Sequence, residues 1–138
     1  MSGTVYDIVK TGIFLFTAYN YRRFLMNITF YQKEDGSEPA KEFLLSLEPN
    51  MRAKVARTVD QLRAKGHNLR APASKNLGDG IFELRTILGN NTTRILYFFF
   101  IGNTAVLTNG FIKKTQKTPM HELERAKRYR DDYKRRNP

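Results

Sequence analysis

Three stretches in immediate succession, Ile81 to Leu88, Thr92 to Ile101 and Thr104 to about Ile112, are rich in β-branched and aromatic residues and are parted only by short polar breaks, Asn90-Asn91 and Gly102-Asn103. Side chains of that kind suit a pleated, half-buried surface, and breaks that short suit hairpin turns, so this part of the chain reads as a β-meander. A meander has to bury at least one face, and the flanking sequence supplies helices to cover it. A short strand around Ile28 and Phe30 is broken by Asp35-Gly36-Ser37. Ser37 is then placed as an N-cap, with Pro39 in the first turn of a helix running to about Leu47. A second helix is expected from Asn50, after Pro49, to Gly66. Met51, Val55, Val59 and Leu62 fall on one stripe of it, with Arg52, Lys54, Arg57, Arg63 and Lys65 largely outside that stripe.

The segment from Arg70 to Gly80 holds Pro72, Gly78 and Gly80 without any period and reads as a connecting loop. After the meander, Thr118 as N-cap and Pro119 at the first helical position announce a closing helix. Leu123, Ala126, Tyr129 and Tyr133 form its apolar stripe, while Arg125, Lys127, Arg128, Arg130, Lys134, Arg135 and Arg136 make its outer surface basic. The fold class is therefore α+β: a small antiparallel sheet packed against two N-terminal helices, with a C-terminal helix. At 138 residues and 41% hydrophobic content, a single core is expected.

That domain spans residues 26–138. Residues 1–25 read as an N-terminal extension. Its apolar core, Ile13-Phe14-Leu15-Phe16, is too short for a membrane span of roughly 20 residues and is followed by Arg22-Arg23 without a small-residue cleavage site. An extra ordered element, a partner-binding arm and sequence upstream of a start at Met26 all fit this extension.

Strand alternation decides which side chains can meet. If Gly102-Asn103 is a two-residue turn, Ile101 opposes Thr104, Leu96 opposes Asn109 and Arg94 opposes Phe111. Arg94, Asn109, Phe111 and Lys113 then share a face. The loop after Leu88 fixes where Arg85 goes. An even-length loop, with Arg85 opposite Leu96, brings it to the face of Arg94; an odd one sends it to the other side. On the even reading, one face collects Glu83, Arg85, Arg94, Asn109 and Lys113, with Leu96, Phe98 and Leu107 further along. Phe82, Leu84, Ile95, Tyr97, Phe99, Val106 and Ile112 occupy the other, almost wholly apolar face, which the helices are expected to cover. The arginine-bearing face is left concave and partly exposed.

The charge balance points the same way. Lysine and arginine number 24 against 13 acidic residues, a formal charge of +11, and such a field favours a polyanionic partner. There is no cysteine, and the only histidines are His67 and His121. Thiolate chemistry is excluded, a zinc motif is not expected, and no cofactor is called for. Clustered Arg and Lys suit one reaction in particular, the cleavage of RNA by its own 2′-hydroxyl. The nucleophile belongs to the substrate, and the protein need only grip the phosphate, stabilise its developing charge and move protons. Arginine grips phosphate oxygens but stays protonated. Lysine can carry protons once burial or neighbouring positive charge lowers its pKa, and Lys113 and Lys114 are the candidates. Thr115, Gln116 and Lys117 offer polar groups to an RNA backbone. Arg128, on the basic closing helix, is a natural contact for ribosomal RNA.

Several segments also carry a family resemblance. Ile81-Phe82-Glu83-Leu84-Arg85, Arg94-Ile95-Leu96-Tyr97-Phe98, the run from Leu107 through Gly110-Phe111-Ile112-Lys113-Lys114-Thr115-Gln116-Lys117-Thr118-Pro119, and Glu122-Leu123-Glu124-Arg125-Ala126 resemble the HigB-type, phage-derived branch of the RelE toxin superfamily. The resemblance covers roughly Met26 to the C-terminus, and Gly110 to Pro119 is its most specific part. It implies a microbial-RNase-like fold and ribosome-dependent cleavage of mRNA in the cytoplasm. It also implies a helix-turn-helix, HigA-like antitoxin, through which alone the protein meets operator DNA, and no membrane. Arg85 and Arg94 fall where the superfamily places phosphate-binding basic residues, and Lys113 and Lys114 fall at its late basic position. Many relatives have histidine where this chain has Asn109, so here that position is left to bind RNA without an imidazole to move protons. The competing reading is a non-catalytic relative that binds nucleic acid or protein, as the ParE-like gyrase poisons do.

Overall fold

The computed structural model describes residues 25–138; the extension expected over residues 1–25 lies, but for its last residue, outside them. Strand β1 (Asn27–Phe30) is followed by helices α1 (Pro39–Ser46) and α2 (Pro49–Lys65), a 3-10 turn (Gly66–Asn68), strands β2 (Ser74–Gly78), β3 (Ile81–Leu88), β4 (Asn91–Phe100) and β5 (Thr104–Ile112), and helix α3 (Met120–Arg136). The architecture is α+β, as the pattern of elements predicts. The five strands form one sheet in the order β1-β5-β4-β3-β2.

Two features depart from the sequence-based reading. The sheet is mixed, because β1 runs parallel to β5; a parallel neighbour needs a long crossover, which the two helices begin. The stretch expected as a loop contains β2, paired antiparallel with β3 from Ser74↔Leu84 to Asn76↔Phe82 and irregular beyond it. The strand sequence Ser-Lys-Asn-Leu-Gly has no apolar alternation because it is an edge, held by its backbone rather than by a buried face.

Helix starts also differ in detail. Ser37 does not cap α1; its hydroxyl bonds Asp35 Oδ1 at 2.6 Å, and Glu42 Oε2 accepts the Glu38 N–H at 2.9 Å instead. Helix α2 is capped by Glu48, whose carboxylate accepts the N–H groups of Asn50 and Met51, with Pro49 at its first position. Thr118 does not cap α3 either; Pro119 occupies that position, and the Thr118 hydroxyl is spent on Glu83.

The hairpins place the site. The turn between β3 and β4 is Gly89-Asn90, of even length as required but set back by one residue, so Arg85 lies directly opposite Arg94 rather than opposite Leu96. The turn between β4 and β5 has three residues, Ile101 to Asn103, with Phe100 opposite Thr104. Ile101 and Gly102 both take positive φ there. A bulge then inserts Thr108, after which Leu96 faces Asn109 and Arg94 faces Phe111 as expected. The buried Thr108 hydroxyl donates to Leu96 O at 3.0 Å. Between turn and bulge the alternation is reversed, so Val106 and Leu107 exchange the faces expected for them.

Helices α1 and α2 cover one face, where Met51, Val55, Val59 and Leu62 pack on Leu84, Ile95, Tyr97, Ala105 and Leu107. Each large side chain buried this way is worth about 1.5–3 kcal/mol. Ile112, expected on this covered face, stays exposed near the sheet's end. Helix α3 lies on the other face but covers only its apolar part, setting Ala126, Leu123, Tyr129 and Tyr133 against Ile81, Leu96, Phe98, Val106 and Phe111. The polar end of that face remains open.

Candidate functional site

The open end is built around a carboxylate. Glu83 on β3 is fully buried. Its Oε1 accepts from Arg94 Nε at 2.8 Å and Arg85 Nε at 3.1 Å, and Lys113 Nζ lies 3.7 Å away. Its other oxygen accepts from the Thr118 hydroxyl. Burial pushes the Glu83 pKa up, but the bonds from Thr118 and Arg85 and the charges of Lys113 and Arg94 outweigh it, and the group sits below its ordinary value. One anion thus gathers three cations and ties the segment that leads from β5 into α3 to the sheet.

The cations are held in different degrees. The Arg94 side chain is 8% exposed and that of Arg85 26%. Arg94 has its pKa lowered, chiefly by burial and also by Arg85, with Glu83 opposing; Nη1 donates to Thr93 O at 3.1 Å. Lys113, with its side chain 6% exposed, has its pKa lowered by burial first and then by Arg94, Arg85 and Lys75, against the pull of Glu83. Above the cluster lies a pocket of about 420 Å³ lined by Arg85, Thr92, Arg94, Lys113, Lys114, Thr115 and Gln116.

Of the nine residues singled out from the sequence, Arg85, Arg94, Lys113, Lys114, Thr115 and Gln116 meet at this pocket. Three do not. Asn109 is buried, and its amide donates to Glu122 O at 3.2 Å and Glu122 Oε1 at 3.0 Å; a side chain spent on fastening α3 to the sheet is not presented to RNA. Lys117 is exposed outside the pocket lining, and its carbonyl accepts from the Thr115 hydroxyl at 2.8 Å. Arg128 is exposed on α3, away from the lining.

The basic surface of α3 is also more structural than its charge suggests. Arg125 pairs with Glu122 at 3.0 Å, Arg136 with Asp132 at 2.7 Å, and Lys127 and Arg130 reach Asp79 at 3.9 and 3.5 Å. Asp132 additionally accepts from the Tyr31 hydroxyl at 2.6 Å; burial and this bond push the Tyr31 pKa up to about 12.

Comparison with known families gives a context for this geometry. Residues 42–131 match the family described as Phage derived protein Gp49-like (DUF891). The chain belongs to that family. Gp49-like proteins are associated with RelE-type toxins. The matched segment runs from α1 into α3 and contains every residue of the pocket. No curated protein matches the chain.

Two features of this Gp49-like site escaped the sequence reading. Glu83 was legible as a member of the right face but not as its buried centre. Lys75, assigned to a loop, stands on β2 opposite Glu83 and close enough to Lys113 to lower its pKa. Chemically, the arrangement offers donors for phosphate oxygens, a surplus of positive charge in a partly dehydrated recess, and a lysine whose pKa burial lowers. Among the described residues no group of three or more His, Asp or Glu is placed to hold a metal ion, and no helix is long and apolar enough to cross a membrane.

Proposed function

We propose that this Gp49-like protein is the toxin of a type II toxin–antitoxin pair, a ribosome-dependent endoribonuclease that cuts messenger RNA in the cytoplasm. The observation that carries the proposal is the convergence of Arg85, Arg94 and Lys113 on the buried Glu83 beneath an open pocket. The RNA 2′-oxygen attacks the adjacent phosphorus, the bond from phosphorus to the 5′-oxygen breaks, and a 2′,3′-cyclic phosphate and a 5′-hydroxyl result. Arg85 and Arg94 hold the non-bridging oxygens and stabilise the charge that develops on them. Lys113 and Lys114 take the proton from the 2′-hydroxyl and supply the one needed at the 5′-oxygen, a role that the lowered pKa of Lys113 favours. The residual positive field suits the ribosome as the platform and an acidic surface on a HigA-like antitoxin as the inhibitor.

One observation favours the gyrase-poison reading. Asn109 stands where many relatives carry histidine, and it is turned toward Glu122, so no imidazole serves the pocket. Brief induction followed by mapping of mRNA 5′ ends separates the two. New ends within coding regions support cleavage; growth arrest with unchanged ends and DNA damage overturns it.

A further inference from the structure

Strand β2 begins at Ser74, opposite Leu84, and Arg85 N–H still reaches Ala73 O. Beyond that point the outer edge of β3, the one turned away from β4, has no strand beside it, and α2 comes alongside instead. The Thr86 hydroxyl donates to the Thr58 hydroxyl at 2.9 Å, and the Lys54 ammonium donates to Ile87 O. Between helix, strand edge and the Pro72-Ala73 segment lies a second cavity, of about 220 Å³. Arg85 lines both this cavity and the cationic pocket, so the two adjoin at this residue.

Its lining combines hydrogen-bonding groups with apolar surface. Lys54, Thr58 and Gln61 are spaced by four and three along α2 and project to one side of it. Lysine has three donors; with one given to Ile87, two remain for a ligand. Gln61 is exposed on the rim, and its amide can both donate to and accept from a base edge. Pro72 and Ile87 add apolar surface for the flat side of a base.

We infer that the cavity between α2 and the free edge of β3 is a subsite for the RNA nucleotide adjoining the phosphate held at Arg85 and Arg94, with Lys54 on its backbone and Gln61 reading its base. The inference rests on the cationic pocket being an RNA phosphate site, but not on cleavage.

The test uses the full chain and a fluorescein-labelled, single-stranded 2′-O-methyl RNA trinucleotide, which cannot be cut, with binding followed by anisotropy across a salt series. Lys54→Ala weakens binding and lowers the slope of log K against log salt by about 0.7, the signature of one lost phosphate contact on a single strand. Gln61→Ala leaves the slope unchanged and removes a preference of about fivefold among bases at one position. Melting temperatures by circular dichroism establish that both variants fold. The subsite is overturned if Arg94→Ala weakens binding while Lys54→Ala and Gln61→Ala match the unmodified protein in slope and base preference, or if the unmodified protein does not bind the trinucleotide. Failure of the catalytic reading shows separately, as the predicted binding pattern in a protein that leaves mRNA intact on ribosomes.

Discussion

Replacing Glu83 is the most revealing perturbation of the site. The carboxylate is buried and answers three cations, two of them, Arg94 and Lys113, with side chains less than a tenth exposed. Glu83→Ala leaves those charges dehydrated and uncompensated, and breaking a buried ion pair from one side costs about 3–5 kcal/mol. Glu83→Gln keeps the shape and one acceptor but loses the charge, a change on the order of 1.5–3 kcal/mol. Against a total stability of about 5–15 kcal/mol, either is readily measured by denaturant unfolding at neutral pH. The pH dependence has a definite sign. Glu83 titrates below its ordinary 4.5 in the folded protein, so its contribution is present above the unfolded value and is lost as pH falls through the folded one. The gap between the unmodified protein and Glu83→Gln should therefore be full at pH 7 and should close on acidification below 4.5. A gap under about 0.5 kcal/mol at pH 7, or one constant from neutral to strongly acidic pH, refutes the idea that this carboxylate holds the cluster together.

Lys113→Arg preserves charge but removes a group that can release its proton; mRNA cleavage should fall by about 10²–10⁴-fold with RNA affinity nearly retained, and undiminished turnover would rule Lys113 out as a proton carrier. Gly110→Ala on β5 should destabilise by about 1–3 kcal/mol, because the added Cβ would stand 2.2 Å from the Phe43 ring; an unchanged urea midpoint would show that α1 is not seated there. Association with the antitoxin should slow as salt rises if charge steers the encounter, which stopped-flow fluorescence reads directly, and a salt-insensitive rate contradicts it.

How far the sequence reached depends on what kind of interaction set each feature. The stripe of Met51, Val55, Val59 and Leu62 and the strands of the meander follow from apolar periodicity, and the structure buries them accordingly. Strand β2 was invisible because an edge held by its backbone leaves no such signature, and Lys75 went unnoticed with it. Arg94 opposes Phe111, as a two-residue turn predicts, only because the extra turn residue is offset by the bulge at Thr108. Turn chemistry pointed to Gly102 but gave no sign that Ile101 would also take a positive φ. Alternation places Glu83 beside the arginines, yet its second oxygen is met by Thr118 from a distant segment, which no local pattern encodes. The burial of Asn109 is hidden for a similar reason: its partner, Glu122, comes from the helix that covers it.

If Arg85, Arg94 and Lys113 form a phosphate-cleaving centre, it is read out by cleavage of a defined mRNA on purified, programmed ribosomes. The unmodified protein should yield a discrete cut ending in a 2′,3′-cyclic phosphate, without added metal, and the double variant Arg85→Ala, Arg94→Ala, shown by circular dichroism to be folded, should lose nearly all of that activity. A folded double variant that cuts as fast as the unmodified protein would place the chemistry elsewhere on the molecule.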